Sequence, residues 1–427
     1  MSIQLRRTVG AGAALLFAST LSTASWAQWQ AGRITTKDVS GTTSQYVEVG
    51  STRTPAGCEY RLQLPLAWGI NEVSGDRGPP RRLSSASCAN PSFDFTSGRE
   101  LEEQTAYYWS FVARSYAIAN LWITPPGWPL GPIAVSKTGV QPNVIGGGNF
   151  ATACFPIAPN ADGCMRVWPH EGPKIHLEAG VLTPELVVHE YGHYAAGFAY
   201  GHMDAFGFSL PAATGDCMKL AFQEAIADMF KFLVMHDRRY AAYAGSDGFG
   251  PVAASHSARG PIACGDAYVT ALPVQQAFQQ ALWGTDYSRK IVVNWRANPL
   301  DTTKPNDPHI ANRKMANAFT YALALNRGHR IDQLAGSLVE WFDVNEPRRA
   351  DAIRKIFGAH GYLVQPYGAA CTAHPQCASF RCDNRPGAGC VAQDGMCPAG
   401  GFCTTHQQCR TGTCKVAAGS LRGVCTN

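Results

Sequence analysis

Apolar and polar positions change their spacing several times along the chain. Between residues 33 and 70, stretches such as QYVEV and YRLQL alternate apolar with polar side chains, the period-two pattern of half-buried strands. From Glu100 to Trp122 the spacing becomes helical. Its apolar positions are largely aromatic, with Tyr107, Tyr108, Trp109, Phe111, Tyr116 and Trp122, which reads as an amphipathic helix laid against a core. Residues 123–180 break into short apolar pieces (NVIGGGNF, CMRVW, KIHL) punctuated by Gly, Pro and Asn, hence strands and loops. After Thr183 helical spacing returns and persists through Phe357. A β-rich N-terminal part followed by a helical C-terminal part predicts an α+β fold class.

Composition adds the compartment. Residues 1–27 carry a basic start at Arg6 and Arg7, an apolar run from Val9 to Leu21, and small residues Ser25 and Ala27 before Gln28. This is the pattern of a secretory signal peptide, cleaved after Ala27. An uncleaved N-terminal anchor and a twin-arginine signal are the competing readings. All deliver the chain to an oxidising compartment, extracellular or periplasmic, where cysteines pair. The net charge is +5 over 427 residues, and loss of Arg6 and Arg7 lowers it to about +3. A balance so small is no nucleic-acid footprint. With the leader removed, no apolar run is long enough to span a membrane.

The 15 cysteines fall unevenly. Six (Cys58, Cys88, Cys154, Cys164, Cys217, Cys264) are scattered, and nine crowd between Cys371 and Cys425. The shift sets a boundary near residue 366, dividing a domain of residues 28–365 from a Cys-rich module of residues 366–427. Within the module Cys371, Cys377 and Cys382 have the same spacing as Cys403, Cys409 and Cys414, and CTAHPQC parallels CTTHQQC. A segment so poor in large apolar residues depends on disulfides for its fold. The total is odd, so one cysteine is free or pairs between chains.

The chemistry centres on His189-Glu190-Tyr191-Gly192-His193, an H-E-x-x-H match. On a helix, positions i and i+4 share a face, so both imidazoles reach one ion while Glu190 reaches a water beside it. Thr183 as N-cap, Pro184 at the first position and Glu185 in the first turn supply a helix start, and Gly197 a stop. The bland alternative is a solvated His/Glu face. The metzincin continuation needs Gly at 196 and His at 199; this chain has Ala196 and Ala199, and His202 is off register. Downstream, the helical pattern Lys219–Val234 contains Glu224 and Asp228, again four apart on a largely apolar helix. Unpartnered buried carboxylates are costly. Glu224 as third ligand completes a His2Glu zinc site, and Asp228 accepts from a ligand imidazole. The alternative is an exposed face paired with Lys219 and Lys231.

HEYGH followed by EAIAD resembles the gluzincin metallopeptidases, the thermolysin-like and fungalysin-like clan. The resemblance covers roughly residues 100–360 and is specific mainly at these two motifs. It implies a two-lobed zincin-type catalytic domain with the H-E-x-x-H helix at the floor of the cleft. It implies His189, His193 and Glu224 as ligands of Zn2+, Glu190 as general base, Asp228 as orienter of His189, and Gln223 as a partner for His193. Asn149, Phe150 and Ala151 resemble the edge strand that pairs with substrate backbone. The clan's oxyanion donor has no evident counterpart. The helix LPVQQAFQQALW begins at Leu272 without a His, which leaves His256, Tyr268 and His309 as candidates. The expected function is a secreted zinc endopeptidase acting on protein or peptide substrates, its Cys-rich tail directed at a cell-surface or matrix target. The alternative is an exported surface-binding protein whose tail does the recognition and whose zincin domain is inactive.

Overall fold

The computed structural model describes residues 28–38, 41–66, 69–75, 82–85, 89, 91–121, 133–136, 152–154, 174–178, 183–200, 217–236, 267–286, 290–297, 306–325 and 331–362, with short pieces between 382 and 426. The fold is mixed α+β. Strands β1 (Gln28–Asp38), β2 (Gly41–Thr54), β3 (Gly57–Arg61), β4 (Gln63–Leu66), β5 (Gly69–Gly75), β6 (Arg82–Ser85) and β7 (Ser92–Phe93) precede the first helix. Five of them form a sheet in the order β6-β3-β2-β1-β7, antiparallel except where β7 runs parallel to β1. The alternation read from QYVEV is realised: Val47 and Val49 are buried while Tyr46 and Glu48 face out.

Helix α1 (Gly98–Asn120) lies against this sheet. Its polar side chains donate to strand carbonyls. Gln104 Nε2 donates to the Thr35 carbonyl at 2.7 Å, Tyr107 Oη to that of Glu48 at 2.7 Å, and Trp109 Nε1 to that of Lys37 at 3.2 Å. The same helix touches the second sheet, ordered β4-β5-β8-β10-β9, which adds β8 (Ile133–Ser136), β9 (Thr152–Cys154) and β10 (Lys174–Glu178). Strands β5, β8 and β10 are parallel, and β9 closes one edge antiparallel to β10.

Among the described residues six helices follow: α2 (Pro184–Tyr200), α3 (Cys217–Met235), α4 (Ala267–Trp283), α5 (Pro308–Leu325), α6 (Ile331–Asn345) and α7 (Pro347–Ala359). Helix α2 packs on α1, on α3 and on strands β9 and β10; α3 packs on α4, and α4 on α7. One apolar cluster runs from Ile34, Val49 and Phe93 through α2, α3 and α4 to Phe357 and Tyr362. Strands β1, β2, β3 and β7 therefore share their core with the helices. Among the described residues no helix is long and apolar enough to cross a membrane.

Two helix limits differ from expectation. Helix α2 continues to Tyr200, past Gly197; a helical glycine costs only about 1 kcal/mol and does not by itself end a helix. Helix α4 starts at Ala267 and carries Pro273 inside it, instead of starting at Leu272. Proline there removes a backbone bond and costs ~3 kcal/mol. Burial of Ala271, Val274, Ala277, Phe278, Ala281 and Leu282 offsets it.

Beyond α7, buried His360 lies 2.7 Å from Gln280, Nε2 to Nε2. An amide nitrogen only donates, so the ring accepts and is neutral. Burial, partly opposed by Asp286, pushes its pKa down to about 4. The unfolded chain takes up the proton near pH 6.5, the folded chain only near 4. The contribution is therefore complete above 6.5 and lost as pH falls towards 4, about 3 kcal/mol in all. Urea unfolding at pH 7 and pH 4.5 should show this loss, and His360→Gln should remove most of it. An unchanged pH slope in that variant would assign acid sensitivity elsewhere.

In the tail, β11 (Cys382–Asp383) pairs with β12 (Gly389–Cys390), and β13 (Phe402–Cys403), β14 (Cys414–Val416) and β15 (Gly423–Cys425) form a sheet ordered β13-β15-β14. Cys382 stands opposite Cys390 and Cys414 opposite Cys425, so matching positions of the sequence repeat open matching strands. Cys58, Cys409 and Cys414 are each disulfide-bonded.

Candidate metal centre

The H-E-x-x-H segment is helical for local reasons. Thr183 caps α2, its Oγ1 accepting from the Leu186 N–H at 3.3 Å, the third helical residue. Pro184 needs no donor in the first turn. Leu186, Val187, Val188, Tyr191 and Ala195 supply the buried stripe. His189 and His193 then share a face, ring centroids 4.8 Å apart and nearly perpendicular. His189, Glu190 and His193 are all buried, and one ligand atom from each lies within 4.8 Å of the others. This group can hold a metal ion.

Helix α3 brings the carboxylates. Tyr191 stacks on Phe230 at 6.2 Å. Gly192 lets the two backbones approach: a Cβ built on it would lie 2.9 Å from Ala227 Cα and 3.0 Å from its carbonyl oxygen. The approach sets Glu224 Oε2 3.2 Å from His189 Nε2 and 3.7 Å from His193 Nε2. Asp228 Oδ1 takes the other side of the first ring, 2.7 Å from Nδ1. Glu224 and Lys231 are buried, so the reading of this helix as a solvated face does not hold.

Charge is balanced between the two helices. Burial alone would raise the Asp228 carboxyl, but Lys231 and His189 hold it far below its usual range. An ionised acceptor at Nδ1 keeps a ring proton there. Burial alone would lower the His189 imidazole, but Asp228 and Glu224 push it up to about 10, so its Nε2 proton is the one a metal ion would displace. Burial alone would likewise raise Glu224, but His193 and His189 hold it well below the usual carboxylate range. Its Oε2 is buried and has no hydrogen-bond partner. Two nitrogens and one oxygen thus converge, the donor set of a His2Glu site once a metal ion takes the place of the ring protons. Ligand atoms ~2.0–2.1 Å from a tetrahedral ion stand roughly 3.3 Å apart. The observed 3.2 and 3.7 Å fit that requirement. The Glu190 carboxyl is pushed up, chiefly by burial. That moves it towards the range in which a carboxylate can both take and return a proton.

Of the residues singled out from the sequence, His189, Glu190, His193, Glu224 and Asp228 meet in one place. Gln223 is buried beside Glu224 on α3. Tyr268 lies in the first turn of α4, described by its backbone alone. His309 is exposed in the first turn of α5, its N–H donating to Asp307 at 2.8 Å. His256, His202 and the stretch Asn149–Phe150–Ala151 lie outside the described residues, as does the signal segment 1–27; edge strand β9 begins at Thr152, directly after the last of that stretch. Three contributors escaped the sequence reading. Lys231 Nζ meets Asp228 Oδ1 at 2.6 Å. Gln275 of α4 donates to the Glu224 carbonyl at 3.2 Å, tying a third helix to the site. Gly192 occupies a position the motif leaves open. The signal for Lys231 was a lysine three residues after Asp228 on an otherwise apolar helix; the other two carry no local signal.

No protein-family model matches the chain, and a search of curated proteins finds none similar to it.

Proposed function

We propose that this protein is an exported zinc-dependent endopeptidase of gluzincin type. The observation that carries the reading is the convergence of Glu224 Oε2 on the Nε2 atoms of His189 and His193, from separate helices, at distances that suit one tetrahedral ion. In this reading His189, His193 and Glu224 hold the ion. When bound, zinc supplies Lewis acidity, which acidifies a water and polarises a peptide carbonyl. Glu190 takes the proton from the attacking water and returns it to the leaving amine. Asp228 keeps the His189 proton on Nδ1, so that Nε2 stays a ligand. The β-rich and helical parts form two lobes with α2 on the cleft floor. The oxyanion donor comes from His256 or Tyr268, and Asn149, Phe150 and Ala151 pair with substrate backbone. The tail is a disulfide-stapled module that holds the enzyme at its target.

Purified protein should contain zinc and hydrolyse casein. Removing the metal with a chelator should abolish hydrolysis, and added zinc should restore it. Hydrolysis indifferent to the chelator would overturn the metal assignment. A metal-loaded protein without hydrolysis would favour the surface-binding alternative.

A further inference from the structure

The mechanism above leaves unused a buried charge that touches Asp228. Lys231 is only 2 % exposed. Lysines are almost never buried so fully, and an ammonium without a partner there costs several kcal/mol. Its Nζ lies 2.6 Å from Asp228 Oδ1, three residues back on α3. The same oxygen sits 2.7 Å from His189 Nδ1. One carboxylate oxygen thus accepts from a ligand imidazole and an ammonium together. The Phe232 ring centroid is 5.1 Å from Nζ.

We propose that Lys231 is a positioning residue of the metal site, clamping Asp228 so that the carboxylate holds the His189 ring in register. The inference rests on the metal site proposed above. Without a second donor, rotation of the carboxylate would break only one hydrogen bond, and either oxygen would serve His189. With Lys231 on the same oxygen, rotation breaks two charge-assisted bonds in a dry interior, where each is stronger than in water. The clamp also limits the negative charge that Asp228 can share with the ring, and so the donor strength of Nε2 towards the ion. Glu185, buried in the first turn of α2, also feels the charge of Lys231. A general role in charge balance is therefore the competing account, and the experiment must separate the two.

The test uses the full chain. Zinc affinity is measured by competition with a chromophoric chelator, and the visible bands of the Co2+-loaded protein report ligand geometry. Lys231→Met should weaken zinc binding by about 10–100-fold, the usual range for partners of a metal ligand, and shift the cobalt bands. Lys231→Arg keeps a charged donor and should recover most of the affinity. In an Asp228→Asn background Lys231→Met should change little, because the lysine acts through that carboxylate. If Lys231→Met alone does not fold, Asp228→Asn is compared with Asp228→Asn/Lys231→Met. Equal affinities there support the clamp, and a further drop overturns it. Wild-type affinity and bands in Lys231→Met, or an equal loss in both backgrounds, would also overturn it. A parent protein that binds no zinc would sink the metal-site reading itself, which is a separate result.

Discussion

Glu190→Gln is expected to retain zinc and to lose peptide hydrolysis by about 10²–10⁴-fold, the usual contribution of a positioned acid–base group. The substitution is nearly isosteric, and the site is buried and tightly packed, so the fold should tolerate it. The amide can orient a water but cannot take its proton. In the parent, burial lifts the carboxyl and the neighbouring charges of Glu224 and Asp228 oppose its ionisation, while His193 and His189 favour it. This balance suits a proton carrier. Metal content and casein hydrolysis, measured on the same preparation, check the prediction. Retained activity would place the base elsewhere. Loss of zinc would be more informative: it would make Glu190 the third ligand, from the His189, Glu190 and His193 cluster whose atoms lie within 4.8 Å, and release Glu224 from that role.

Gly192→Ala should cost about 1–3 kcal/mol in stability and weaken zinc retention by roughly 10–100-fold. The added Cβ would meet Ala227 Cα at 2.9 Å, the Ala227 carbonyl oxygen at 3.0 Å and Phe230 Cβ at 3.1 Å. Two of these are backbone atoms and cannot rotate away, so α2 and α3 must part. Glu224 and Asp228 ride on α3 and the histidines on α2, so the same separation pulls the carboxylates from the imidazoles. Gly358→Ala is the control. It is also helical, and its Cβ would meet nothing within 4 Å. Helix propensity alone makes that change neutral or stabilising, by up to about 1 kcal/mol. Thermal unfolding and chelator competition on the two variants read both effects. If Gly192→Ala matched Gly358→Ala in both, close approach of the helices would not be what assembles the site.

Much of the site was legible because its parts are local. Thr183, Pro184 and the apolar run through Val188 specify where a helix starts, and helical geometry then puts His189 and His193 on one face. Glu224 and Asp228 were legible for the same reason, as a pair four residues apart on an apolar pattern. Their partners could be assigned only by supposing that the two helices meet. Lys231 entered the sequence reading only through the exposed-face alternative, because a lysine on a helix is exposed unless something buried neutralises it. The neutralising group, Asp228, is itself committed to His189 through contacts 39 residues apart. Pro273 misled for a related reason: its local cost is real, and only the burial around α4 outweighs it.

Chain periodicity alone determined the succession of strands and helices, the paired imidazoles on one turn-and-a-bit of helix, and the repeat of the tail, since each depends on residues a few positions apart and on backbone geometry common to all chains. Strand order in the two sheets, the parallel pairing of β7 with β1, and the seating of α3 against α2 were decided only by tertiary packing. Whether two nitrogens and a carboxylate oxygen come close enough to share one ion depends on how near two helix axes approach. At Gly192 that spacing is set by a missing methyl group, whose consequence exists only once Ala227 is packed against it.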